Sequence, residues 1–352
     1  MTVAVALAGS PLECAFMPRT GDYPQPTSIP AFPSGVTAIA SEFWAACAVV
    51  GPSSHLDCWG LEPPFEAGEP PDVPANIGAM TTVDLGPRHG CAMNGDSKLR
   101  CWGNNHRGAQ DVPTDLQTAT GLSGLDAGYD LTCVIHNKVP RCWGLAPTAQ
   151  ITTPGDPMPD SIGNVVAISV GSTAACAIKE TDSTVACWGE SPSDPSSLPA
   201  ASAVAVGIDF VCIIVKDDTY IQCTDQFPVH PDLGAVTAIK VTGRLACALS
   251  DGDLVCWRAT DTAPFSGTYD DLDTTTFNLT TITDFDPGPD YVCAMGAPIA
   301  TGPPDSSDDS SSLSGGAVAG IVIAVLIVVA VGIIWLRPSD DSASPMLSLY
   351  ET

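Results

Sequence analysis

Basic residues are scarce in this chain. Its 352 residues include 13 Lys and Arg against 40 Asp and Glu, a net charge of −27. Such a surface repels nucleic acid, which excludes DNA and RNA as partners. Histidine is rarer still. His55, His89, His106, His136 and His230 are scattered, and none has the H-E-x-x-H spacing of a zinc hydrolase. No C-x-x-C occurs, so the usual zinc and dithiol sites are missing. Neither a G-x-S-x-G elbow nor a phosphate loop is found. These absences point to a protein that is not an enzyme and has no cofactor and no metal site.

Cysteine is plentiful and ordered. The fourteen cysteines form six local pairs, Cys47 with Cys58, Cys91 with Cys101, Cys133 with Cys142, Cys176 with Cys187, Cys212 with Cys223 and Cys247 with Cys256. Cys14 and Cys293 are left, one at each end. First cysteines follow one another at 44, 42, 43, 36, 35 and 46 residues, the period of a solenoid, propeller or array. In Cys247-Ala-Leu-Ser-Asp-Gly-Asp-Leu-Val-Cys256, Asp251-Gly252 has the composition of a type I′ turn. Folding there sets Cys247 opposite Cys256, where Cβ atoms come roughly 4.5–5.5 Å apart, close to what a disulfide needs. Free buried thiols are the plainer alternative, since cysteine also serves as a small core residue.

Upstream of each pair lies a short apolar strand ending in glycine or a turn, as in Val83-Asp-Leu-Gly86, Leu125-Asp-Ala-Gly128 and Ala203-Val-Ala-Val-Gly207. Each repeat is then a small antiparallel sheet of at least three strands, too small to stand alone. Seven arranged radially bury one another's faces. The expected fold is an all-β, seven-bladed β-propeller over residues 1–296, with Cys14 and Cys293 joined so that the N-terminus supplies the outer strand of the last blade. Val5 to Cys14 also matches the spacing of Cys247 to Cys256, which suggests a further strand at the start.

The stretch Val83-Asp-Leu-Gly86, His89-Gly-Cys-Ala-Met93, Gly95, Leu99-Arg-Cys-Trp-Gly-Asn-Asn105 and Gly108 resembles the regulator-of-chromosome-condensation repeat family. The resemblance runs over about residues 12–296 and implies a seven-bladed propeller. It implies little about function, because the family includes exchange factors, inhibitors and surface proteins. Cys223-Thr224, Cys14-Ala15 and Trp257-Arg258 depart from its Cys-Trp-Gly pattern, and no exchange-factor residue can be carried over.

Residues 315–336 contain no charge, and as a helix they extend roughly 33 Å, enough to cross a bilayer core. Trp335 and Arg337 follow the pattern of a cytosolic boundary. A transmembrane helix is expected here, with an acidic stalk over 297–314 and a short cytosolic tail over 337–352. Gly316, Gly320 and Ala324 share one helix face and suggest a homodimer. Asn278-Leu-Thr280 is a glycosylation sequon. Paired cysteines favour an extracellular or lumenal propeller. No export signal is visible in Thr2 to Ala8, so either a true N-terminus precedes residue 1 or the protein is tail-anchored with a cytosolic propeller. The outside placement is preferred.

Candidate chemistry is thin. Glu62, Glu66, Glu69 and Asp72 read as solvated acid in a Pro-rich connection. Asp217-Asp218, Asp251-Gly-Asp253 and Asp270-Asp271 resemble calcium ligands in composition, but Asp also suits hairpin tips. Trp59, Trp102, Trp143, Trp188 and Trp257 recur at one repeat position and read as blade packing, while Trp44 stands apart as a contact candidate. His89 reads as structural or solvent-facing. The long connections 60–79, 144–163 and 259–284 are the binding candidates for a protein or glycan ligand. The expected role is a membrane-anchored binding or recognition module. One alternative is a tail-anchored cytosolic scaffold or exchange factor. Another is a secretory-pathway enzyme, which requires carboxylates from several blades to converge on the ring axis.

Overall fold

A computed structural model gives the architecture. It describes Val3–Ala4 and Leu12–Phe16, then residues 32–298 except 33–34, 43–44, 61–72, 97, 106–107, 145–161, 173, 190–194, 225–226, 230–232, 260–268, 273–276, 278 and 289–290. The chain divides into two units, 1–299 and 300–352, and the second lies wholly outside the described residues. So do the expected stalk, the apolar segment 315–336, Gly316, Gly320 and Ala324. Among the described residues no helix is long and apolar enough to cross a membrane.

Seven antiparallel sheets follow one another along unit 1. The inner, middle and outer strands of blade 1 are Val36–Glu42, Ala45–Val50 and His55–Gly60. Those of blade 2 are Thr82–Leu85, His89–Met93 and Leu99–Gly103. Blade 3 has Leu122–Ala127, Leu131–His136 and Val139–Gly144. Blade 4 has Val165–Val170, Ala174–Lys179 and Val185–Gly189. Blade 5 has Ala201–Val206, Val211–Val215 and Ile221–Cys223. Blade 6 adds a fourth strand, Tyr269–Leu272, outside Val236–Thr242, Leu245–Ser250 and Asp253–Ala259. Blade 7 takes Leu279–Gly288 and Tyr291–Pro298 from the C-terminal side and Leu12–Phe16 from the N-terminus.

The hairpin register follows turn chemistry. Asp251 and Gly252 both have positive φ, and Ser250 pairs with Asp253, Leu249 with Leu254 and Cys247 with Cys256. Asn137 and Lys138 make the equivalent turn in blade 3, with φ of 52° and 70°. Every cysteine pair lies directly across its hairpin and is joined, Cys14 to Cys293 included, so no cysteine is free. The N-terminal extra strand differs from expectation. It is Val3–Ala4, with Val3 opposite Cys14, a shift of two residues from a pairing that starts at Val5. Asp270 and Asp271 lie on the fourth strand of blade 6, opposite Arg258 and Trp257, and not at a loop tip.

Seven separate clusters form the core, one at each junction between blades. Trp102 of blade 2 packs with Ala45, Cys47 and Val49 of blade 1. Trp143 joins Cys91 and Met93 of blade 2, and Trp188 joins Cys133 and Ile135 of blade 3. Trp257 joins Cys212 and Ile214 of blade 5, and Trp59 joins Cys293 and Tyr291 of blade 7. Each disulfide thus faces the next blade, and all five tryptophans are buried. Trp143 and Trp257 donate Nε1–H to the carbonyls of Ala109 and Pro228, 2.8 Å each, which offsets the cost of burying a polar atom. Where tryptophan is missing, smaller residues take its place. Thr224 is buried in blade 5 and accepts Val211 N–H at 2.9 Å, and Ala15 joins a cluster with Phe285.

Inner strands end in glycine because successive blades nearly touch there. A Cβ on Gly86 would lie 1.9 Å from the Gly128 carbonyl oxygen, and one on Gly128 would lie 2.1 Å from that of Gly171. Gly128→Ala is therefore expected to destabilise the propeller by about 3 kcal/mol, whereas Gly95→Ala, whose Cβ would meet only the Thr81 methyl at 3.8 Å and whose φ is ordinary, should stay within about 0.5 kcal/mol. The Cys14–Cys293 bridge spans 279 residues and the others only 9 to 11. In the chain-entropy account its loss costs roughly 5.5 kcal/mol, against roughly 2.7 kcal/mol for a hairpin bridge. Denaturant unfolding of the paired Cys→Ser variants measures both values.

Candidate functional site

The inner strands surround an axial cavity of about 930 Å³. Alternate N–H groups of an inner strand point to the middle strand, as Gly86, Gly128, Gly171 and Gly207 show by donating to His89, Leu131, Ala174 and Phe210. The intervening N–H groups therefore face the axis, where an edge strand has no partner of its own.

Side chains from the preceding blade meet this need. Asp84 of blade 2 accepts Ala127 N–H of blade 3 at 2.5 Å. Asp126 of blade 3 accepts Val170 N–H of blade 4. Ser169 of blade 4 accepts Val206 N–H of blade 5 at 3.2 Å, and Asp286 of blade 7 accepts Ser41 N–H of blade 1 at 2.6 Å. These residues share one repeat position, directly opposite the first cysteine of the blade. Ala40, Ala205 and Lys240 occupy it in the other three blades. Lys240 offers no acceptor, and the residue that would donate to it in blade 7 is Pro287, which has no N–H. Lys240 instead pairs with Asp286 at 3.0 Å and Asp284 at 3.1 Å.

The glycine position is also modified in two blades. Glu42 and Thr242 stand there in blades 1 and 6, on either side of blade 7, and Thr242 Oγ1 donates to Glu42 Oε2 at 2.9 Å. Ser41 Oγ donates to the Asp286 carbonyl at 2.6 Å, and Tyr291 O–H donates to the Ala45 carbonyl at 2.7 Å. Side-chain links across the axis thus gather around the closing blade.

Crowding and restricted solvation push the carboxyl pKa values upward. Burial, followed by the charges of Asp286 and Asp126, pushes Glu42 up to about 8 despite the Thr242 bond. Burial and Asp286 push Asp126 up to about 7. Asp84 is raised by burial and by Asp126. Asp286 is raised by burial, against the pull of Lys240. Burial opposes the charge on Lys240, but Asp286 and Asp284 outweigh it and raise its pKa. These groups are half-buried on the wall of a cavity large enough for water, which moderates the shifts.

Carboxylates from several blades do converge on the ring axis, as the enzyme alternative requires. Glu42, Asp84, Asp126, Asp284 and Asp286 all line the cavity. One alignment reveals three of them, Asp84, Asp126 and Asp286. Ala40, Asp84, Asp126, Ser169, Ala205, Lys240 and Asp286 each stand seven residues before the first cysteine of their blade. Of the two readings of His89, the structural one holds. It is buried, not solvent-facing, and contacts Thr132 Oγ1 at 2.7 Å, and burial pushes its pKa down to about 4. Asp217 and Asp251 are turn residues with positive φ, and Asp251 accepts Ala235 N–H at 3.1 Å. Among the described residues no group of three or more His, Cys, Asp and Glu is placed to hold a metal. Glu62, Glu66, Glu69, Asp72, Trp44 and Asn278 lie outside the described residues, as does most of the connections at 60–79, 144–163 and 259–284.

Residues 80–109 match the model of the regulator of chromosome condensation (RCC1) repeat. The chain is similar in fold to the ectodomain of the Physcomitrella patens receptor kinase CR4, at 18% identity and a TM-score of 0.55, covering 76% of this chain and 72% of that one. It is similar to the ectodomain of the Arabidopsis thaliana receptor kinase ACR4, at 20% identity and a TM-score of 0.52, covering 76% and 98%. Prp20p from Saccharomyces cerevisiae, described with its binding to Gsp1p and histones, matches at 12% identity and a TM-score of 0.56, covering 82% and 85%.

Capping of the axial N–H groups is open to direct test. Asp84→Ala leaves Ala127 N–H without its acceptor and should cost about 1–2 kcal/mol, while Asp84→Asn, which keeps an acceptor oxygen, should cost less than half as much. Denaturant titration of the two variants gives the ratio.

Proposed function

We propose that this chain, a propeller of regulator-of-chromosome-condensation-type repeats, is a membrane-anchored binding module displayed outside the cytosol. The observation that carries this reading is the pairing of all fourteen cysteines, one bridge to each blade. Seven structural disulfides belong to an oxidising compartment. The uncharged run 315–336 supplies the anchor, 297–314 the stalk and 337–352 the cytosolic tail. Gly316, Gly320 and Ala324 provide the face for a homodimer, and Asn278 carries a glycan. Two of the structures with a similar fold are receptor kinase ectodomains, which fits this placement. The ligand is a protein or a glycan held by connections that vary between blades over a constant core. A charge of −27 favours a basic or polar ligand surface.

A specific observation favours a second reading. The axial carboxylates are what a hydrolase at the ring axis requires, and burial pushes two of them, Glu42 and Asp126, up to about 8 and about 7. Their bonding argues the other way. Asp84, Asp126 and Asp286 are engaged with backbone N–H groups of the next blade, and Asp284 and Asp286 with Lys240. Stitching blades together accounts for them without a substrate. Cytosolic placement is opposed by the disulfides.

Mass-tagged maleimide labelling of the full chain in native membranes, after denaturation, tests the placement. Without reductant no thiol should react, and with reductant all fourteen should. Reaction of most thiols without reductant would replace this reading with a cytosolic, tail-anchored scaffold. Glycosidase treatment should lower the apparent mass of the wild type and leave Asn278→Gln unchanged.

A further inference from the structure

The seven bridges differ in what covers them. In every blade the middle-strand cysteine is buried, so a reagent can approach only the outer-strand sulfur. In blades 1 to 5 that residue, Cys58, Cys101, Cys142, Cys187 or Cys223, is half-buried. In blades 6 and 7 it is Cys256 and Cys14, each 1% exposed. Sheet topology supplies the reason. Among the described residues blades 1 to 5 have three strands, and blades 6 and 7 have four. Both added strands run past the outer cysteine in register, with Leu272 opposite Cys256 and Val3 opposite Cys14. The outer cysteine thus lies on the edge strand in five blades and one strand in from the edge in two.

We propose that the bridges of blades 1 to 5 form a reducible rim, a set of sites for thiol–disulfide exchange with an approaching dithiol, while the bridges of blades 6 and 7 are shielded by their fourth strands. Blade 1 shows the step. A thiolate of the dithiol attacks Cys58 Sγ, the bond to Cys47 breaks, and the electron pair leaves on Cys47 Sγ, which takes a proton from water. The second thiolate of the reagent then attacks the mixed disulfide at its own first sulfur. This closes the reagent's disulfide and releases Cys58 as a thiol. The bridge gains two electrons and two protons, and the dithiol loses them.

The leaving sulfur is in an apolar setting in every blade, as Cys47 is beside Met80 and Val83 and Cys247 beside Phe285 and Val292. Such a setting disfavours the departing thiolate and slows all seven exchanges. Access to the outer sulfur then separates them. The two shielded bridges stand at the seam of the ring, and one of them, Cys14–Cys293, is the covalent closure. Reduction of the rim therefore frees outer strands blade by blade while the ring stays closed. This inference rests on the paired cysteines of the reading above, and not on the anchor or the ligand.

Limited reduction of the full chain in detergent micelles provides the test. Dithiothreitol is added at about pH 8, where part of it is thiolate, and samples taken over time are acid-quenched and labelled with N-ethylmaleimide for peptide mass spectrometry. No cysteine should be labelled before the dithiol is added. The five rim bridges should then open at least about tenfold faster than Cys247–Cys256 and Cys14–Cys293. Asp270→Pro together with Asp271→Pro removes a ladder N–H from the fourth strand of blade 6, since one of two adjacent residues faces the neighbouring strand. This variant should bring Cys247–Cys256 up to the rim rate and leave Cys14–Cys293 slow, a change that a loss of overall stability would not confine to one bridge. Seven bridges opening together, a fast bridge in blade 6 or 7 of the wild type, or a slow one on the rim would each overturn the proposal. Thiols labelled before reduction would overturn the paired-cysteine reading as well. Should the double variant not fold, the wild-type order decides alone.

Discussion

Burial of one blade's disulfide beneath the outer strand of the next is the contact on which the rest depends. A three-stranded sheet with two apolar faces has no stable existence by itself. Here each sheet is stiffened by a bridge across its hairpin, and that bridge becomes half of the next interface. Cys91 under Trp143 and Cys133 under Trp188 show the pattern. The disulfide therefore acts twice, as a restraint on the unfolded chain and as a core side chain. The glycine at the end of each inner strand is a consequence. Packing this tight brings successive backbones within reach at the axis, and Gly86, Gly128 and Gly171 leave no space for a Cβ.

Tight packing at the axis creates the second constraint. Inner strands present unpaired N–H groups where no further strand can be added. Asp84, Asp126, Ser169 and Asp286 satisfy them from the preceding blade. Meeting this need with aspartate concentrates charge in a confined space. Lys240 relieves part of it, at the one junction where Pro287 needs no acceptor. Raised carboxyl pKa values follow from the same geometry that supplies backbone partners. A cluster of perturbed acids is thus explained here by architecture before catalysis is invoked.

Ring closure concentrates the remaining polar contacts. Blade 7 is assembled from both chain ends, so it lacks the covalent continuity that holds the other blades. The Cys14–Cys293 bridge supplies continuity on its outer side. Ser41, Glu42, Lys240, Thr242 and Asp286 supply it at the axis. Glu42 and Thr242 replace glycine in the two blades next to the closing blade and bond to each other there.

Much of this was legible in the residues themselves. Hairpin register followed from Asp251-Gly252 and the cysteine spacing, because a two-residue turn dictates which side chains lie opposite. The number of blades and the split last blade followed from counting cysteines. Tryptophan recurrence pointed to packing, since one repeat position has one environment in a ring. The axial chemistry was also encoded, seven residues before each first cysteine, but as isolated letters with no local pattern. An Asp in Val83-Asp-Leu-Gly86 looks like any solvated strand residue. Local sequence determines hairpins and faces because those depend on neighbours within a few residues. Only tertiary structure decided that Asp84 meets Ala127, that Lys240 meets Asp286, and that Glu42 meets Thr242 two hundred residues away, because closing the ring is what brings distant inner strands onto one axis.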